Sequence, residues 1–390
     1  MSNAAPGCRV LVVYPHNFFL RRMGIDSRYY QLMHYFKERQ IAVDLFSLEN
    51  FAGSWAGQDP SREDLIDRLF LYDFSRDRLA RKMRGRLGKN LPDYVSGGMR
   101  KAFHKIVSAA DYDFVLVSYV YWASLLQSAP LKGAQTILDV SDFSTLKLFQ
   151  LSPKRIATGR ALEEEIGRIN RFDQVLCISE EERWFFSLFA PRPRFSLIPH
   201  FAAGQERSSR AEPEYDLVYI ASDNPFNRQG AGWFFGQVYP LLSPPPRILA
   251  VGAITAHLPQ AVEKEKNIDL LPFAPDLGQV YPRARVSICP LLAGTGLKIK
   301  VVESLSYQVP VVTTPRGVDG FADKSGNGCL VGQTPAEFAV HIGRLLGDKE
   351  FYRARCLEAA AYFSCHFERS LIYRRLDGIF KKVEKMSKLG

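Results

Sequence analysis

The chain has 390 residues, of which 46% are hydrophobic, 24% charged and 12% aromatic, a mix that excludes a disordered, coiled-coil or collagen-like chain. That length exceeds what one hydrophobic core usually fills, so two domains are expected. The net charge is +10 (51 Lys+Arg against 41 Asp+Glu), and no run approaches the ~18 apolar residues of a membrane-spanning helix.

The first residues are polar and show no secretory signal, which makes cytoplasm the default. Apolar runs at 9–14, 41–47, 114–119, 135–139, 174–178 and 195–199 read as strands, and 27–39 carries Tyr30, Met33 and Phe36 at helical spacing. Strands that are apolar throughout and separated by helices predict a parallel sheet covered on both faces. Between the second and third runs the charge departs from neutral. From Arg76 to Lys105 there are ten basic residues against Asp77 and Asp93, a local balance of +8. Leu79, Met83 and Leu87 recur every four residues among Arg78, Arg81, Lys82, Arg84 and Arg86. Such a basic amphipathic stretch suits an anionic membrane surface, which would place the protein peripherally on the inner face of the membrane, or serves as a solvated face packed on its own domain. No nucleic-acid motif accompanies it, and nucleic acid is not expected as a partner.

The segment 189–215 has four prolines, Gly204 and a Ser-Ser pair and reads as the connection between domains, with closure about it expected. Alternation then resumes, with strands at 216–222, 247–252, 267–271, 286–290, 309–314 and 328–331 and helices at 230–242, 296–307, 335–346 and 349–365. Domains are therefore set at 1–200 and 215–365, joined by a linker at 201–214. The stretch 367–389 places Ile372, Leu376, Ile379 and Val383 on one helical face, so the segment 366–390 is expected to pack back across the domains. The architecture is two doubly wound α/β domains facing each other across a cleft, with ligands at the carboxyl ends of strands.

Six cysteines stand apart, with no C-x-x-C pair and no accompanying histidine spacing. Cys177, Cys289 and Cys329 lie in apolar runs and are expected to be small buried groups, with no structural zinc.

The most informative stretch is 286–321, VSICPLLAGTGLKIKVVESLSYQVPVVTTPRGVDGF. A buried strand ends at Pro290, a turn holds Gly294, Thr295 and Gly296, and a helix follows. Glycines there let backbone N–H groups approach a ligand, and a helix start offers unpaired donors, so a phosphate is the natural guest. With the helix opening at Gly296, Lys300 and Glu303 share its face, and Glu303 sits ~10 Å down the axis. That matches the reach from a diphosphate to the ribose of the same nucleotide. Lys300, with Lys298, offsets phosphate charge; Glu303 either accepts from ribose hydroxyls or pairs with Lys300. At the end of another strand, LDVSDFSTLK (138–147) brings Asp139 and Asp142 together. Asp142 either orients or deprotonates a hydroxyl, or caps the following helix.

GTGLKIKVVESLSYQVPVVTT resembles the C-terminal signature of family 4 (group 1) glycosyltransferases of the GT-B fold, in the G-T-G subgroup. The resemblance implies that Gly294, Thr295, Gly296, Leu297, Lys300 and Glu303 hold a nucleotide-sugar donor, with Glu303 on the ribose. Thr295 stands where the common E-x7-E form has a first glutamate. YIASDNPFNRQGAGWFF (219–235) is similar to the family's opening of that domain, with Ser222, Asn227 and Arg228 in a loop facing the phosphates. Ile198-Pro199-His200 sits where relatives have Ile-Pro-Asn-Gly, and Ser179-Glu180 matches a structural element. In the N-terminal domain, Gly24 corresponds to a glycine loop at the diphosphate, with His16 and Arg28 as acceptor or phosphate contacts. Asp142 matches the aspartate of a His-Asp pair in which Ser141 replaces the histidine.

The resemblance implies an enzyme that moves a sugar from a UDP- or GDP-sugar to a glycan, lipid-linked or other hydroxyl acceptor in cell-envelope polysaccharide synthesis, with retention. The sequence offers no D-x-D pair on a strand–loop for a manganese ion, and no cofactor or metal is expected beyond the donor. A sugar-nucleotide epimerase of the same form, or a catalytically silent accessory protein, is the alternative.

Overall fold

Strand β4 (Phe114–Ser118) is buried from end to end and β1 (Arg9–Val13) at every residue after Arg9, because helices cover both faces of the sheet they centre. The computed structural model describes residues 7–49, 55, 64–73, 75, 91–204 and 212–381. It divides into two compact units, Met1–Arg21, Ile25–Ile198 and Tyr373–Gly390 in the first and Arg22–Gly24 and Pro199–Ile372 in the second.

The first unit holds seven parallel strands in the order β3-β2-β1-β4-β5-β6-β7. The remaining strands are β2 (Ala42–Leu48), β3 (Arg68–Tyr72), β5 (Gln135–Val140), β6 (Gln174–Cys177) and β7 (Arg194–Leu197). The apolar runs at both ends of the first half thus appear in place. β3 was not expected: it is a partly exposed edge strand, RLFLY, whose pattern lacks the continuous apolar run of its neighbours. It is held by Asp44, a fully buried carboxylate on β2 that takes the Arg68 and Arg9 guanidiniums and the Tyr112 hydroxyl. β7 lies within 189–215, so that segment is not linker throughout. Residues 205–211 of the expected linker, and 76–90 with Arg78, Arg81, Lys82, Arg84 and Arg86, lie outside the described residues.

The second unit repeats the plan with six parallel strands ordered β10-β9-β8-β11-β12-β13. These are β8 (Tyr215–Ile220), β9 (Ile248–Val251), β10 (Ile268–Leu271), β11 (Ala284–Cys289), β12 (Val311–Thr313) and β13 (Cys329–Val331), all six expected. In each sheet the order reverses once, between β1 and β4 and between β8 and β11. Those reversals open a crevice at the carboxyl ends of the strands, which is where a doubly wound sheet binds ligands.

The helices of the first unit are α1 (Gly24–Glu38), α2 (Gly97–Ala109), α3 (Ser144–Leu151), α4 (Thr158–Ile169) and α5 (Glu180–Phe189). Those of the second are α6 (Pro225–Trp233), α7 (Ile299–Ser306), α8 (Pro335–Gly347) and α9 (Lys349–His366). Ser179 caps α5 by accepting from the Glu182 amide, a structural role. Helix α10 (Arg369–Ile379) buries Ile372, Tyr373 and Leu376, and Phe380 just past its end is buried as well, while Ile379 is half-buried and Val383 lies outside the described residues. From Tyr373 onward the chain groups with the first unit, where Arg39 and Tyr35 bond Asp377 and Phe380 meets Phe36 and Phe114. Cys8, Cys177, Cys289 and Cys329 are buried free thiols.

Candidate functional site

Two polar clusters mark the two reversals. In the second unit, β8 runs into Ser222 and then α6. Asn224 caps that helix by accepting from the Asn227 amide at 2.9 Å, and Pro225 follows at the first helical position, where its missing N–H costs nothing. The helix therefore starts five residues before the expected Gly230, and Asn227 and Arg228 stand in its first turn, not in a loop. Gly230 allows α6 to approach the end of β11, since a Cβ there would lie 2.5 Å from the Pro290 carbonyl oxygen.

From β11 the chain enters Pro290–Lys298. Gly294 has φ +122° and Gly296 φ +69°, values that glycine alone adopts without strain and that a helix cannot contain. The helix consequently opens at Ile299, with Lys298 as its cap residue, and not at Gly296. Glu303 is then only four residues into α7, about 6 Å along the axis from its start. The glycine loop, not the helix, spans the remaining distance toward any phosphate.

Lys298 is buried and gives its ammonium to the Thr295 and Gly296 carbonyls at 3.1 and 2.6 Å, 4.0 Å from Asp319. It fastens the loop, which corrects its expected place on a phosphate. Lys300 extends to the Asn227 side-chain oxygen at 2.9 Å with its ammonium over the Tyr219 ring. Burial, with the Lys298 charge nearby, holds the Lys300 ammonium below the usual lysine range. A half-buried ammonium with a neutral amide partner gains from an arriving anion.

Glu303 does not pair with Lys300. Its carboxylate, 16% exposed, faces the buried His200, with His200 Nε2 3.9 Å from Glu303 Oε1. His200 was seen in the sequence only as a departure from a motif. Its 103-residue separation from Glu303 left no local signal. Ser222 accepts the Asn227 amide on its carbonyl at 2.7 Å. Gly24 belongs with this unit and lies against Ile299, where a Cβ would come within 3.0 Å of the isoleucine side chain. Arg228 is exposed and paired through its guanidinium with Asp223, beside His257, so its charge is already partly matched.

In the first unit the expected residues separate into two kinds. Arg28 and Asp139 are both buried and bind each other in a bidentate ion pair, Nη2 to Oδ1 at 2.7 Å and Nε to Oδ2 at 3.1 Å. Burial works against the Arg28 charge, and Asp139 more than restores it. This corrects both assignments: Asp139 is not an open catalytic carboxylate, nor Arg28 an acceptor contact. Each satisfies the other inside the fold. Asp142, by contrast, is part-exposed and holds the Lys147 ammonium at 2.6 Å, raising that lysine's pKa. It does not cap α3. The buried Glu165 of α4 takes that role, accepting from the Ser144 and Thr145 amides at 2.8 Å each. Near Asp142, Tyr119 ends β4 with φ +57° and ψ 143°, a strained setting for a residue with a side chain.

His16 follows β1, and burial lowers its pKa to about 4. It is therefore neutral at pH 7, a hydrogen-bonding group and not a cation for phosphate. The folded pKa lies below the ordinary 6.5, so the unfolded chain binds a proton that the fold refuses. Stability therefore falls as pH drops from 6.5 toward 4, on the order of 2–3 kcal/mol. A His16→Gln variant is expected to flatten that decline, read from urea midpoints at pH 7, 5.5 and 4.5. Equal declines in both proteins would refute the assignment.

Among the described residues, no three His, Cys, Asp or Glu side chains group as metal ligands, and no helix is long and apolar enough to cross a membrane.

Residues 214–348 match the family model described as Glycosyl transferases group 1. A protein described as an uncharacterized 44.6 kDa protein in the cps region of Klebsiella pneumoniae is 26% identical over 129 residues, 30% of this chain and 33% of that protein, so the match spans about a third of its length. Three solved structures share the fold of nearly the whole chain. Sucrose-phosphate synthase from Thermosynechococcus elongatus superposes with a TM-score of 0.73 at 14% identity, covering 96% of this chain and 98% of that one. A mutant of S. aureus TarM, in complex with fondaparinux, alpha-GlcNAc-glycerol and UDP, gives 0.71 at 10% identity, covering 96% and 99%. Anabaena HepE with UDP and glucose gives 0.68 at 15%, covering 95% and 98%.

Proposed function

We propose that the chain, whose residues 214–348 match the family model of the group 1 glycosyl transferases, is a member of that family and transfers a sugar from a nucleoside-diphosphate sugar to a hydroxyl acceptor. The observation that carries this reading is the β11–α7 passage: two positive-φ glycines, a half-buried Lys300 held by Asn227, and Glu303 one turn into the following helix. Backbone amides of the loop and the helix start, with Lys300, suit the negative charge that develops on a departing diphosphate. Glu303 suits the two ribose hydroxyls, since an ionised carboxylate only accepts hydrogen bonds and has room for both.

Binding of UDP by TarM and HepE supports a uridine nucleotide as the first donor to test, with guanosine second. The charge at stake is met by protein groups, and the transfer needs no metal in this reading. Asp142 is the carboxylate placed to orient or deprotonate the acceptor hydroxyl, and retention of the anomeric configuration is expected. A glycan or lipid-linked acceptor in cell-envelope polysaccharide synthesis is the working substrate class, which the relative in a cps region favours. A peripheral place on an anionic membrane surface rests on the sequence of 76–90 alone.

A thermal-shift panel of UDP, GDP, ADP and CDP tests the donor assignment. A ligand at ~100 times its Kd stabilises the fold by ~2.7 kcal/mol, several degrees in melting temperature. UDP or GDP is expected to give that rise; no response to any of the four overturns the reading.

A further inference from the structure

We propose that His200 is a positioning residue for ribose recognition, fixing the carboxylate of Glu303 so that both ribose hydroxyls find an acceptor. The inference rests on the reading of Glu303 as the ribose-binding group and assigns this chain's own means of aiming it.

His200 stands on a platform built to be still. Pro199 before it restricts the backbone, and Phe201 after it is buried. The next residue is tied on both sides, with the Ala202 amide donating to the Phe367 carbonyl and the Arg369 amide donating to the Ala202 carbonyl at 2.9 Å. The imidazole itself is 3% exposed and directs Nε2 at Glu303 Oε1. Opposite it, α7 is held by the Tyr281 hydroxyl, which donates to the Lys300 carbonyl at 2.9 Å, and Tyr281 stacks on Tyr307 with ring centroids 5.3 Å apart.

A glutamate on a helix has three rotatable bonds, and a half-buried carboxylate without a lateral contact samples several directions. At 3.9 Å the contact is longer than a hydrogen bond and within the range of an ion pair. Contacts of this kind are commonly long before ligand arrives and tighten in the complex. An ionised carboxylate has about four acceptor positions, so one Nε2–H on Oε1 and two ribose hydroxyls are within its capacity. The contribution is preorganisation: the carboxylate loses its freedom before binding and not during it.

Isothermal titration with UDP and 2′-deoxy-UDP, or GDP and 2′-deoxy-GDP where guanosine is the ligand, separates positioning from packing. The wild-type protein is expected to prefer the ribonucleotide by about 10-fold, equivalent to ~1.4 kcal/mol. In His200→Ala the preference is expected to fall to about 3-fold or less, with deoxynucleotide affinity changed less than twofold. His200→Gln, whose amide can donate to the same oxygen, should recover most of it. An unchanged preference in His200→Ala overturns the inference while leaving the donor reading intact. A wild-type protein that binds both sugars equally removes the ribose role of Glu303, and the inference with it. A second measurement needs no ligand: Glu303→Gln should shift the His200 ring nitrogen resonances, and unmoved resonances would overturn the contact.

Discussion

Arg28→Met alone is expected to lower the stability of the first unit by about 3–5 kcal/mol, while Arg28→Met with Asp139→Leu recovers most of that loss. The asymmetry comes from where the pair sits. Both side chains are nearly solvent-free, and each of the two guanidinium bonds ends on a different oxygen of the same carboxylate. Removing one partner leaves a charge in a site that offers it no water, which costs far more than the pair contributes. Removing both replaces two costly desolvations with apolar contact. At roughly 2–4 °C per kcal/mol for a unit of this size, the single variant should melt about 10 °C lower. Asp139→Leu alone should behave the same way, because it strands Arg28. Were the single and double variants to lose equal stability, the pair would not be the closed unit described here, and Asp139 would return as a candidate for chemistry.

That pair also shows what the sequence could and could not convey. Every strand of both sheets except β3 was legible, since the strands of a parallel sheet covered on both faces are predominantly apolar and announce themselves in about five residues. The edge strand β3 carries charge at one end and is half-exposed, so its pattern resembles a loop. The glycine turn was legible as well, but its extent was not. Whether Gly296 begins the helix depends on the sign of one dihedral angle, and nothing in G-T-G-L-K states that Lys298 will turn back to bond the Thr295 and Gly296 carbonyls. For α6 the signal was present and went unused: Asn224-Pro225 is a cap followed by the residue best suited to the first helical position.

Partner choice among polar residues was the least legible part. Arg28 and Asp139 are 111 positions apart, Lys300 and Asn227 are 73 apart, and Glu165 is 21 from the helix it caps. Each was visible as a polar group near a strand end or on a helix. Which of them stays open to substrate depends on which others reach it first, and that is settled by packing. Asp142 remains a candidate because its partner, Lys147, is itself part-exposed and can exchange that contact for another. Asp139 does not, because its partner is buried with it.

Glu303→Ala is expected to weaken nucleoside diphosphate binding about 10²-fold and to abolish sugar transfer, while leaving the melting temperature of the unliganded protein within a few degrees of wild type. The two halves of this prediction have separate grounds. Alanine is the strongest helix former, and the Glu303 backbone is already committed inside α7, with its carbonyl accepting the Ser306 hydroxyl at 2.6 Å. Helix stability therefore has little to lose. Binding has more: each hydrogen bond from a ribose hydroxyl to a carboxylate is worth ~1.5–3 kcal/mol, and about 1.4 kcal/mol is a factor of ten. Glu303→Gln separates charge from shape. The amide keeps one acceptor oxygen and loses the charge assistance, so it should fall between the two, about 10-fold weaker than wild type. Lys300→Met acts at the other end of the nucleotide, and its loss should be felt equally by ribo- and deoxyribonucleotides. A Glu303→Ala protein that binds UDP and GDP as tightly as the parent would mean that this carboxylate serves only to meet His200, and the nucleotide would have to be sought elsewhere in the second unit.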